Sequence, residues 1–155
     1  MKDNDILLYV DSGCKLFASG EERLNDYIKI VNNSKHGNLS FELTHYEYEY
    51  TKMDLFNALD AHNLKDTKQL LSGIFLMKKT DSNIALVEKW LSYWSDYKLV
   101  NDDPSVAPNY EGFQAHRHDQ SIFSILRKQY GTEILPDETF EVDGSKPIHA
   151  LRIIS

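Results

Sequence analysis

Ile6-Leu7-Leu8-Tyr9-Val10 runs without a polar break and stops at Asp11-Ser12-Gly13. Consecutive apolar residues, β-branched and aromatic among them, make the pattern of a short strand buried on both faces. Such a strand needs something laid against each side of it, which restricts the chain to layers built around a sheet. The carboxylate that ends the run falls at the carboxyl edge of that sheet, where open α/β folds hold their ligands. Gly13 permits a close backbone approach or a positive φ there. Asp, Ser and Gly are equally common turn formers, so a plain turn accounts for the same tripeptide.

The chain then alternates helical and extended patterns. Ser19 and Glu22 fit an S-x-x-E capping box ahead of a helix on Leu24, Tyr27, Ile28 and Val31. Leu39, Phe41 and Leu43 alternate as a strand, and the alternation slips phase into Tyr46, Tyr48 and Tyr50, the mark of a bulge or of an irregular segment. Thr51 and Asp54 are placed to cap a short helix through Leu55, Phe56 and Leu59. Gln69 to Met77 is a second apolar strand, interrupted at Ser72-Gly73, and a glycine inside a strand marks a bulge or a close approach of ligand or backbone. Ile84, Val87, Leu91 and Trp94 follow an a/d spacing beside Trp90 and Tyr93, which predicts a helix with both tryptophans in packing roles.

From Leu99 to Gln114 periodicity disappears, and a loop of this length usually carries function or is disordered. It delivers the chain into His116-Arg117-His118-Asp119-Gln120-Ser121, four ionisable groups at the mouth of a helix whose Ile122, Phe123, Leu126 and Tyr130 form an apolar face. Asp119 suits a helix N-cap. The same cluster suits an anionic substrate or a proton transfer. Ile134-Leu135 reads as a short strand, Asp143 to Pro147 as a turn, and Ile148 to Ile154 as a closing strand or irregular tail. Strands alternating with helices predict an α/β fold with a mixed sheet flanked by helices.

With 155 residues the chain forms a single domain over 1–155. Its net charge of −7 argues against general affinity for nucleic acid or anionic membrane. One cysteine, Cys14, excludes an internal disulfide and fits a cytoplasmic, reducing setting. No apolar run reaches the roughly 20 residues of a membrane span.

An Asp ending a buried strand, a Ser-Gly break in a second strand, an acid at a helix mouth and a late His occur in that order. ILLYVDSGC, QLLSGIFLMKK and HRHDQSIFSILRKQYG resemble bacterial and viral glycosyltransferases of the GT-A fold, which transfer a sugar from a nucleotide-sugar donor. The resemblance covers nearly the whole chain and is most specific at HRHDQSIFS. It implies the C-terminal part of that fold and a hydroxyl of a glycan or lipid-linked acceptor as the sugar's destination. It implies that Asp11 matches the first carboxylate of a D-x-D motif and, with His149, helps hold Mn²⁺ or Mg²⁺ against the donor diphosphate. Ser12, Gly13, Ser72 and Gly73 then line the donor. His116 and Arg117 supply positive charge to the leaving group, and His118-Asp119 matches the position that faces the acceptor, with Asp119 as general base or, in a retaining enzyme, as a group that positions the sugar.

Position 13 departs from D-x-D in lacking the second carboxylate. The D-x-D-like strand also comes immediately after Met1, whereas in the family it follows a nucleotide-binding segment, so an N-terminally truncated catalytic domain is expected. Such a sheet exposes an edge and an apolar face, which predicts a homodimer or pairing with a missing N-terminal partner segment. Two alternatives follow: a non-catalytic remnant that binds sugar or a partner, and an unrelated metal-dependent hydrolase in which His116 and His118 share a metal.

Overall fold

A computed structural model describes residues 1–150; the expected continuation of the last strand, 151–154, lies outside the described residues. The elements are β1 (Ile6–Val10), β2 (Cys14–Leu16), α1 (Glu21–Asn33), β3 (Asn38–Tyr46), α2 (Glu47–Tyr50), α3 (Met53–Leu59), β4 (Lys68–Lys78), α4 (Asp81–Tyr93), α5 (Tyr97–Val100), α6 (His118–Tyr130), β5 (Glu133–Pro136) and β6 (Ile148–Ala150). One sheet has the order β1-β4-β3-β5, antiparallel except for the parallel β3–β5 pair, and β2 pairs with β6 in a small antiparallel ribbon. The protein is thus α/β, with a mixed sheet flanked by helices. No helix among the described residues is long and apolar enough to cross a membrane.

Alternation along β4 sorts the two faces, because successive strand side chains point to opposite sides. Ile74 and Leu76 pack with Leu39 and Phe41 of β3 against Tyr27 and Val31 of α1 and Ile148 of β6. Phe75 and Met77 pack the other way, against α3, Leu86 of α4, Leu99 of α5 and Ile122, Phe123, Ile125 and Leu126 of α6. The central strands β3 and β4 therefore carry a core on each side.

The break expected at Ser72-Gly73 is present. β3 residues Ser40 and Glu42, two apart, pair with Phe75 and Leu70, five apart, so β4 bulges between them. A bulge frees backbone groups that need new partners when buried. Helix α6 supplies them from one stripe. Gln120 Oε1 accepts from the Ser72 N–H (3.3 Å), Ser124 Oγ accepts from the Leu70 N–H (2.8 Å), and the fully buried Arg127 donates to the Leu71 carbonyl (2.9 Å) and to Ser40 Oγ (3.1 Å). The polar residues at three- and four-residue spacing on α6 are on its buried face because the bulge is there.

Several local expectations are corrected. β1 is an edge strand rather than one buried on both faces: Leu7 and Tyr9 remain 42% and 41% exposed. α1 starts where expected, but its N-cap is Gly20, and the Ser19 hydroxyl donates instead to the Gly144 carbonyl (2.6 Å). α3 is capped by neither Thr51 nor Asp54. Asp54 accepts from the Val106 and Ala107 N–H groups, so it pins the long loop. α4 forms over the expected residues but turns Asn83 and Leu86 inward. Asn83 is buried because its amide donates to the Gly37 and Lys78 carbonyls (3.1 and 2.9 Å) and its oxygen accepts from Asn38. Trp90 packs as expected, stacked on Phe123 with ring centroids 3.9 Å apart, while Trp94 is left half exposed.

Candidate functional site

β1 ends beside the β4 bulge, and the two meet at Asp11 and Gly73. The Asp11 N–H donates to the Gly73 carbonyl (2.8 Å), and the Asp11 carboxylate lies against the Gly73 Cα, where any β-carbon would collide with its oxygens. The constraint on this position comes from close approach, not from φ: a larger residue must displace the Asp11 carboxylate. The turn out of β1 closes through a bond from the Cys14 N–H to the Asp11 carbonyl (3.0 Å), with Asp at its first position, a common arrangement. Gly13 does not use a positive φ. The plain-turn reading of Asp11-Ser12-Gly13 is met, and the turn places the Asp11 carboxylate at the edge of the sheet.

Around this junction lies a cavity of about 380 Å³ bordered by Asp11, Ser12, Gly13, Cys14, Leu71, Ser72, Gly73, Ile74, Gln120, Phe140 and Ala150. The four residues expected to line a donor site from β1 and β4, Ser12, Gly13, Ser72 and Gly73, all border it with Asp11. Gln120 forms its floor and connects it to the interior. Its Nε2 donates to Gln69 Oε1 (2.8 Å), and Gln69 donates to the buried Glu47 (3.1 Å). Phe140 stands at the lip. Its loop is held by Glu138, which accepts from Arg23 (2.8 and 3.1 Å) and from the Tyr27 hydroxyl on α1.

Asp11 is held by Tyr9, two residues back on the same strand face, whose hydroxyl donates to Asp11 Oδ1 (3.1 Å). Tyr9 is stacked on Phe75 (centroids 5.0 Å), and Phe75 meets Phe123 edge to face. The orientation of the exposed carboxylate is thereby tied to the aromatic core. The hydrogen bond to Asp11, partial burial and the negative charges of Asp11 and Asp119 push the Tyr9 phenol up.

Helix α6 opens with His118 at φ +49°, a left-handed conformation uncommon for a non-glycine residue, and Arg117 is its N-cap. Asp119 is thus in the first helical turn rather than the cap itself. It is half buried, and its carboxyl is pushed above the ordinary range, first by desolvation and further by the nearby charge of Asp11, against the bond it accepts from the Gln120 N–H and the pull of His118. Two carboxylates from distant parts of the chain, Asp11 and Asp119, thus feel one another at the same end of the sheet. A half-buried carboxyl with a raised pKa in the field of a second carboxylate is a usual signature of acid–base chemistry.

The other members of the cluster face elsewhere. His116 is buried, accepts from the Lys52 N–H at Nδ1 (3.2 Å) and bonds the Leu99 carbonyl through Nε2 (2.8 Å), so both ring nitrogens are spent on backbone. Burial holds it neutral, with a pKa pushed down to about 4. Arg117 stacks its guanidinium 4.3 Å over the Tyr50 ring, and its N–H donates to the Tyr50 carbonyl. His118 bonds Asp102 (2.6 Å) on the long loop. That loop is ordered by the start of α3, with Lys52 Nζ on the Asn101 and Asp103 carbonyls and the Met53 N–H on Asn109 Oδ1. The two rings lie edge to face with centroids 6.0 Å apart, but both His116 nitrogens are engaged by backbone and His118 Nε2 by Asp102, which removes the support for a hydrolase built on a metal shared between them. His149 pairs across from Lys15 with its ring against Phe17, and its neighbour Ala150, not His149, borders the cavity. Among the described residues no group of three or more His, Cys, Asp or Glu side chains is arranged to hold a metal ion.

Tyr9, Gln120 and Phe140 were not singled out from sequence. Tyr9 was readable from the two-residue period of the strand that carries Asp11. Gln120 had no signal beyond its place next to Asp119, and Phe140 none at all. Comparison with protein-family models, curated proteins and solved structures finds no match to this chain.

Proposed function

We propose that the cavity is the donor site of a nucleotide-sugar-dependent glycosyltransferase of the GT-A type, transferring a hexose to a hydroxyl of a glycan or lipid-linked acceptor, in a cytoplasmic setting that the single Cys14 suits. One observation carries this reading. Asp11, the Ser72-Gly73 bulge and Gln120 at the mouth of α6, from three segments far apart in sequence and each part of the resemblance, border a single cavity, and Asp119 adjoins Gln120 just outside its lining. Asp11 faces the departing diphosphate, Gly73 leaves room for the Asp11 carboxylate, and Asp119 takes the proton of the acceptor hydroxyl or, in a retaining reaction, positions the sugar. Mg²⁺ commonly binds through one or two carboxylates together with substrate phosphates, and Asp11 fits that habit as the protein's carboxylate, with His149 outside the cavity lining and Asp119 left free to act as base. When bound, such an ion neutralises the leaving diphosphate.

The test is release of nucleoside diphosphate from a panel of UDP-, GDP- and CDP-sugars with Mn²⁺ or Mg²⁺. Release from one donor, lost in Gly73→Ala because the added methyl must displace the Asp11 carboxylate, is the expected result. No release from any donor favours the second reading, a non-catalytic remnant that binds sugar or a partner. The absence of a second carboxylate at Gly13 is what recommends it.

A further inference from the structure

Helix α4 carries two apolar stripes. The inner one, Leu86 with Trp90 and Tyr93, packs on α6 and accounts for the amphipathic face a surface helix needs. The outer one, Ile84, Val87, Leu91 and Trp94, is 39%, 39%, 68% and 50% exposed. It continues across the edge of the sheet onto Leu7 of β1, with a groove of about 200 Å³ between helix and strand that is apolar almost throughout.

We propose that this face is where a second copy of the chain docks, α4 against α4 about a two-fold axis. Spacing favours a helix as occupant, because 84, 87, 91 and 94 repeat at three, four and three, the a/d seam that a facing helix fills with knobs into holes. A two-fold pairing of copies needs such a seam on both, and every copy has it. Area supports the same occupant. The exposed parts of Leu7, Ile84, Val87, Leu91 and Trp94, with Met1 at the groove's end, come to roughly 600 Å² per copy, so their complete burial on both copies would reach on the order of 1,200 Å², where stable specific interfaces begin. The groove's rim carries Lys78 and Lys79 as well as Glu88, so no single-sign field opposes self-association. This inference is independent of what the cavity binds.

The test is sedimentation velocity or light scattering on the full chain across a concentration series, with Leu91→Glu and Val87→Glu. The expected result is twice the 18.0 kDa chain mass at the upper concentrations. Each variant should weaken association at least about tenfold, as for loss of a central interface residue. Leu91 is largely exposed in the single copy, so its variant should keep the wild-type circular dichroism and match the wild-type melting at concentrations where both are monomeric. A monomer at every concentration overturns the proposal, even one that enlarges only on adding another protein. So does a dimer that survives both substitutions, since the seam then lies elsewhere.

Discussion

Replacing Asp119 with Asn is expected to lower sugar transfer by about 10²–10⁴-fold, the range a positioned general base contributes, and to leave the chain folded. Asn keeps the shape and can still accept from the Gln120 N–H, so the helix start should survive. The same change should make the protein more stable at neutral pH. Asp119 has a folded-state pKa above its ordinary value, so its favourable contribution is complete only at pH below the unfolded value. As pH rises through the folded pKa, the carboxyl ionises in a half-buried site beside Asp11 and that contribution is lost. At pH 7 the variant is relieved of this cost, and its advantage should shrink on acidification. Activity must follow the same group in the opposite sense: the ionised base is needed, so the acid limb of log(kcat/KM) should lie above the usual aspartate range. Melting curves and pH profiles of the two proteins check both statements, and unchanged turnover in Asp119→Asn contradicts the role.

The largest effect on stability is expected from Lys128→Met. Glu47 is fully buried and accepts from Lys128 Nζ (2.7 Å), Thr51 Oγ1 (3.1 Å), Gln69 Nε2 (3.1 Å) and the Ser124 hydroxyl. Lys128 also donates to Thr67 Oγ1 (2.8 Å) and the Lys68 carbonyl (2.6 Å). Burial pushes the lysine ammonium down while Glu47 draws it up. Removing the cation leaves an uncompensated carboxylate in the interior, which typically costs about 3–5 kcal/mol. Replacing both residues with apolar ones of similar size should recover much of that loss, because a buried pair repays little beyond its own desolvation. Urea midpoints of the single and double variants measure it, and a double variant as unstable as the single one would place the cost in lost packing instead. Gln69 joins Glu47 to Gln120 at the cavity floor, so the single variant should also loosen the Ser72 backbone.

How much of this was legible in the sequence varied with the physical origin of each feature. The Ser72-Gly73 break announced its bulge because glycine in a strand is costly without a local reason. Asp11 at the end of an apolar run gave its place at the sheet edge. The partnership of Gln120, Ser124 and Arg127 with the bulge was not legible. Those residues read as the polar side of an amphipathic helix, and only the freed carbonyls and N–H groups of β4 explain their burial. Trp94, given a packing role together with Trp90, is half exposed for a related reason. Spacing shows that a face is apolar, but with two such faces it cannot say which one the sheet covers, and Asn83's bonds to Gly37 and Lys78 decided it. His116 and Arg117 were given charge-bearing roles from their company in HRHD. Their actual partners, the backbone at Lys52 and Leu99 and the ring of Tyr50, come from segments that local sequence does not bring near.

The most direct measurement is thermal unfolding of the chain with Mn²⁺ and, in turn, UDP, GDP and CDP. A ligand that binds only the folded state stabilises it by about 2.7 kcal/mol at a hundredfold excess over its dissociation constant. A metal-dependent rise with one nucleotide, absent in Gly73→Ala, is the predicted result. An unchanged transition with all three, at millimolar ligand and metal, would contradict a nucleotide-diphosphate site between Asp11 and the β4 bulge.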